Sequence, residues 1–133
     1  MTPDIHRSRT IVAVMAMFLA LAICTTALAK PSNKWRVEFS GGSRSAGVIV
    51  FELTPIGGNQ ITVTIDVPND TSENHVAKLV TETLKTKLPA DAYHVERDDG
   101  EDVLIKKRHG AADFDLIVVS NTVEHVRINL DRE

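Results

Sequence analysis

The sequence predicts an α+β domain: an antiparallel sheet of six to seven strands packed against one amphipathic helix, in the order β-β-β-α-β-β-β-β, preceded by a signal peptide. Three observations carry this. Seven segments either alternate apolar and polar residues or run apolar between turn residues, the two patterns of β-strands. One segment repeats apolar residues at spacings of three and four, the pattern of an amphipathic helix. The first 29 residues join Arg7 and Arg9 to an apolar run that closes on Ala27-Leu28-Ala29, the parts of a secretory leader.

Cleavage after Ala29 divides the chain into a leader, 1–29, and a single small domain, 30–133. Two alternatives attach to the leader. The apolar stretch from Ile11 to Ala29 is 19 residues, close to the ~20 that cross a bilayer as a helix. Retained, it would tether the domain outside by its N-terminus, with Arg7 and Arg9 on the cytoplasmic side. Thr25 and Thr26 weaken its end, and Ala-Leu-Ala is a good cleavage site. Leu21-Ala22-Ile23-Cys24 resembles a lipid-attachment box, but Ile23 stands where that box wants a small residue.

Each element of the domain has its own signal. In 35–40, Trp35, Val37 and Phe39 alternate with Arg36 and Glu38, the period of a half-buried strand. The Gly- and Ser-rich run 40–45 ends it. Segment 47–53 is apolar on both faces, which places it centrally in the sheet. After the turn 55–59, segment 60–67 sets Ile61, Val63, Ile65 and Val67 against Thr62, Thr64 and Asp66. Pro68 stops that strand. Asp70 or Thr71 can cap the following helix, and Glu73 stands three residues beyond Asp70, as a capping box requires. Val76, Leu79, Val80, Thr83, Leu84 and Leu88 form its apolar stripe, opposite Lys78, Glu82, Lys85 and Lys87. Pro89 ends the helix at Leu88.

Segments 92–97 and 102–107 form a hairpin through Asp98-Asp99-Gly100, because Asp and Gly tolerate positive φ. Segment 114–120 is apolar on both faces. In 123–130, Val126, Ile128 and Leu130 alternate with His125, Arg127 and Asn129. One apolar helical stripe needs a sheet to cover, and strands in runs imply an antiparallel α+β layer. A strand, a helix and four further strands resemble the cystatin topology. Cystatins carry a Q-x-V-x-G loop between the first two strands after the helix. Here that loop is Asp98-Asp99-Gly100-Glu101, so the resemblance stops at topology and implies no inhibitory activity.

Composition narrows the function classes. The only cysteine, Cys24, lies in the leader, so the domain has no internal disulfide, thiol nucleophile or thiolate metal ligand. At about 100 residues it buries roughly two thirds of its unfolded surface, enough for one core. Two of the 15 basic and one of the 18 acidic residues fall in the leader, which leaves 13 against 17, a formal charge of −4. With no basic stripe and few aromatics, nucleic-acid binding has no support.

Asp98, Asp99, Glu101 and Asp102 make the densest acidic cluster, and hard cations want several oxygen ligands. Their spacing is not that of a calcium loop, Lys106-Lys107-Arg108 follows directly, and a solvated hairpin tip accounts for them. His75, His94, His109 and His125 lack the local spacing of metal ligands. Ser40, Ser43 and Ser45 sit in a flexible loop without a nucleophile elbow. The same loop, with Arg44, offers backbone N–H groups to an anion but lacks a following helix. Asn69-Asp70-Thr71 matches a glycosylation sequon and also lies at the helix cap.

The expectation is a periplasmic or secreted non-enzymatic module with no cofactor, binding another protein of the cell envelope or serving as a structural part of an assembly. It expects no nucleic acid and, after cleavage, no membrane contact. Edge strands are the expected contact surfaces, since they offer unpaired backbone groups: Trp35, Val37 and Phe39 on the first strand, or His125, Arg127 and Asn129 on the last. The competing class is a small hydrolase or protease inhibitor.

Overall fold

The computed structural model describes residues 30–133; the leader, its cleavage and its two alternatives lie outside them. Seven strands and one helix follow the expected order: β1 (Lys34–Ser40), β2 (Gly47–Pro55), β3 (Ile61–Val67), α1 (Glu73–Lys87), β4 (Tyr93–Asp98), β5 (Asp102–Lys107), β6 (Phe114–Asn121) and β7 (Arg127–Arg132).

The strands make two antiparallel sheets, not one: β4-β5-β1-β7 and β3-β2-β6. Geometry explains the division. Seven strands side by side would be roughly 30 Å wide at about 4.8 Å per strand, and one helix covers a strip only about 10 Å across. A single sheet would leave most of its apolar face wet. The chain instead crosses between sheets after β1, and the inner faces share one core with the helix. Phe39 and Val37 of β1, Phe51 of β2, Ile65 of β3, Ile105 of β5 and Leu116 of β6 are all buried in it. The helix lies against β3 of one sheet and β1, β4 and β5 of the other.

Polar bonds tie the layers at both ends. Trp35 Nε1 donates to the carbonyl of Phe114 at 2.8 Å, and Ser32 exchanges both backbone hydrogen bonds with Phe114. At the other end Ser43, almost fully buried, donates from Oγ to the carbonyl of Pro68 and accepts from the N–H of Thr71, each at 2.7 Å. The β1–β2 loop is thereby fixed to the segment that leads into the helix.

The helix begins one or two residues later than expected. Ser72, not Asp70 or Thr71, is the N-cap, and its Oγ accepts from the N–H of His75. Asp70 takes φ +57° in the preceding loop. Glu73 does not close a capping box; its Oε2 accepts from the N–H of Gly41 at 3.0 Å. The buried face is Val76, Ala77, Val80, Thr81 and Leu84, rotated from the expected stripe so that Leu79 lies at its margin. Thr81 enters the core because its Oγ1 donates to the carbonyl of Ala77 at 2.8 Å, which satisfies the hydroxyl within the helix. Leu88 closes the last turn through its N–H to the carbonyl of Leu84.

Candidate functional site

The two sheets each present an outer face to solvent, and the chemistry of the two is opposite. On the four-stranded sheet, Arg36 of β1 is the hub. Its Nη1 donates to Asp102 at 2.6 Å and Asp98 at 3.3 Å, and its Nε donates to Glu133. Lys34 also meets Glu133, and Lys106 meets Glu96. Leu104 lies on this face opposite Arg36 and Glu96 and is buried. The bonds from Arg36 and then Lys34 hold the Glu133 carboxyl down at about 2. Lys106, then His94, lowers Glu96, while hydrogen bonds to Glu133 and Asp102 raise Arg36. Asp98, Asp102, Glu133 and Glu96 are thus each matched by a cation.

This lattice absorbs half of the acidic hairpin. Asp98 and Asp102 sit beside the Arg36 guanidinium. Asp99 and Glu101 flank Gly100 in the turn, where Asp99 takes φ +46° and Gly100 φ +77°. Among the described residues no group of three or more His, Cys, Asp or Glu side chains is gathered to hold a metal ion.

The expected edge on β1 is corrected. β1 is paired on both sides, with β5 and with β7, and Trp35, Val37 and Phe39 are buried. The alternation does mark a half-buried strand, with Arg36 and Glu38 on the outer face and the apolar set in the core, but that strand is internal to its sheet. β7 is an edge strand. Arg127 and Asn129 lie on it, exposed, and are occupied locally: Arg127 Nε reaches Ser40 Oγ at 3.3 Å and Asn129 Nδ2 reaches Asp131 at 3.0 Å. His125 precedes β7, in a turn at φ +72°, with Nδ1 3.1 Å from the carbonyl oxygen of Gly42.

The histidines and serines are dispersed. His75 Nδ1 lies 3.0 Å from Ser72 Oγ, a contact made inside the helix cap. His94 meets Glu96 at 3.1 Å. Ser43 is spent on loop anchoring, and Ser45 Oγ accepts from the N–H of Glu124. An open cleft lined by Gly42, Arg44, Asp70, Ser72 and His125 marks where the β1–β2, β3–α1 and β6–β7 loops meet.

The outer face of the three-stranded sheet is different. Ile117 and Val119 of β6 are 45 % and 51 % exposed, and Ile56 is the one other large apolar side chain so exposed among the described residues. Val48, Val50 and Glu52 of β2, with Thr62, Thr64 and Asp66 of β3, alternate out of the core on the same side. Register places Glu52 between Thr62 and Ile117, and Val50 between Thr64 and Ser120. An irregularity there leaves Val119 as the extra residue on β6. β6 is also the edge of its sheet, and beyond the single pair at Ser32 its far side bears no further strand among the described residues. The sequence had a signal for this face, the second apolar set in β6, but period alone does not say whether that set is covered. No protein-family model and no curated protein matches the chain.

Proposed function

We propose that this protein is an exported, non-enzymatic module that docks a partner protein of the cell envelope through the outer face of β3-β2-β6 and the free edge of β6. The observation that carries the reading is the pairing of Ile117 and Val119 on an edge strand. An edge with exposed apolar side chains is ordinarily blunted by charge, proline or a covering element. β7 is blunted in that way, with Arg127, Asp131 and Arg132 among its six residues; on β6 the bulge and Ser32 guard only part of the edge. Contiguous apolar surface of this kind, rimmed by polar groups, marks interaction sites. The leader in the sequence supports an extracytoplasmic setting.

The test is affinity capture from the native envelope fraction with three forms: the wild type, Ile117→Ser/Val119→Ser, and Arg127→Ala/Asn129→Ala. The partner is expected with the wild type and the β7 variant and is expected to vanish with the β6 variant. Capture that survives the β6 changes and fails with the β7 changes would move the contact to β7. A hydrolytic or protease-inhibitory activity abolished by one serine or histidine substitution would replace the reading altogether.

A further inference from the structure

We infer that the occupant of the β3-β2-β6 face is cationic: a protein segment in which Lys or Arg side chains are interleaved with apolar ones. This rests on the docking role proposed above and adds the chemistry of the partner. The three strands carry Glu52, Asp66 and Asp115 and not one Lys or Arg. No ion pair among the described residues involves any of the three carboxylates. The placement is regular. Glu52 lies directly across from Ile117, Asp115 lies across from Thr54, and Asp66 lies across from Val48. Glu52, across from Ile117, and Asp115, two residues before it on β6, thus flank the apolar patch, and Asp66 lies beyond β2 on the same face.

The other outer face of the same domain shows what matched charge looks like here. There Arg36 alone engages Asp98, Asp102 and Glu133, and Lys106 engages Glu96. One face carries cations that pair most of its carboxylates, Glu38 and Asp131 excepted; the other is partly apolar, with three negative charges and no cation. Complementary potentials steer association and reject like-charged partners. A cationic, partly apolar strand satisfies both halves of the face, its side chains covering Ile117 and Val119 while its charges meet the carboxylates. A second copy of this chain, bringing three like charges to the same face, is opposed by repulsion.

The probes are short synthetic peptides that alternate Val with Lys, with Glu or with Thr, titrated into the ¹⁵N-labelled protein at about 50 and about 500 mM salt, conditions that differ strongly in screening. The Lys peptide is expected to shift amide resonances of β2, β3 and β6. Its affinity is expected to fall about tenfold in Glu52→Gln/Asp115→Asn and again in high salt, the behaviour of charge-steered contacts. The Glu peptide is expected not to bind. If the Thr peptide binds as tightly as the Lys peptide and Ile117→Ser abolishes both, the docking face stands and the cationic occupant is refuted. If neither binds through β6, both readings fall. A concentration-dependent dimer in sedimentation equilibrium that Ile117→Lys dissolves would make the occupant a second copy and overturn the inference.

Discussion

Replacing Leu84 by Ala tests how the helix is held. Leu84 is 1 % exposed and stands with Leu88, Tyr93 and Val95 along the seam between α1 and β4. The change removes three carbons, a transfer loss of about 2.4 kcal/mol at ~0.8 kcal/mol per methylene. The space left behind adds to that, and measured Leu→Ala losses in cores run about 2.7–5 kcal/mol. The open cleft beside this seam allows some relaxation, so about 3 kcal/mol is expected. For a domain of this size that lowers Tm by roughly 10–20 °C and removes a large fraction of a total near 5–15 kcal/mol. Lys85→Ala, one residue on and exposed, is expected to cost under about 0.5 kcal/mol. Urea melts of the two variants read the contrast in their midpoints. Equal midpoints would refute the helix phase and the shared core.

Three further outcomes follow from named contacts. Trp35→Phe removes the bond to the Phe114 carbonyl, which still accepts from Ser32 N–H. With no orphaned acceptor the expected loss is about 1–2 kcal/mol by chemical denaturation. Gly41→Ala places a Cβ about 2.3 Å from the His125 carbonyl at φ +82°, so a loss of about 1–3 kcal/mol is expected, and Gly57→Ala, with nothing near its Cβ, is expected to cost less in parallel melts. Glu133 titrates at about 2 in the fold against 4.5 ordinarily. A carboxyl lowered by folding stabilises the fold above its unfolded value and loses that contribution as pH falls through the folded one. The Tm gap between wild type and Glu133→Gln is therefore expected to be full at pH above 4.5 and to close toward about 2; a gap constant with pH would dissociate Glu133 from the Arg36 cluster.

Local periodicity made the elements legible and left their partners hidden. The strands and the helix sit within a few residues of the alternation that announces them, because side-chain period reports which residues share a face. The number of sheets did not show, since alternation says that a face is buried and not what buries it. β1 illustrates the gap: Arg36 and Glu38 read as solvent-facing, and they are, yet the strand is internal because β5 and β7 pair with its two edges, which side-chain period does not report. The helix cap is Ser72 because Asp70 takes φ +57° and the Thr71 carbonyl already accepts from the N–H of Ser43, whereas an N-cap needs extended backbone and a carbonyl free for the first helical bond. Ser43 belongs to a loop distant in sequence that no local pattern contains. Of the residues expected at an edge, His125, Arg127 and Asn129 lie at or beside one, whereas Ile117 and Val119 were visible as apolar and not as exposed. The missing cations of β2, β3 and β6 were plain in the sequence, but only the shared face gives them meaning.

The central claim is that the β3-β2-β6 face is where the partner sits. Its most direct measurement is photocrosslinking in the living cell, with a photoreactive residue introduced singly at Ile117, Asn129 or Lys85. Position 117 is expected to yield a discrete adduct with another protein, and positions 129 and 85 are not. Adducts from 129 or 85 with none from 117 would contradict the account.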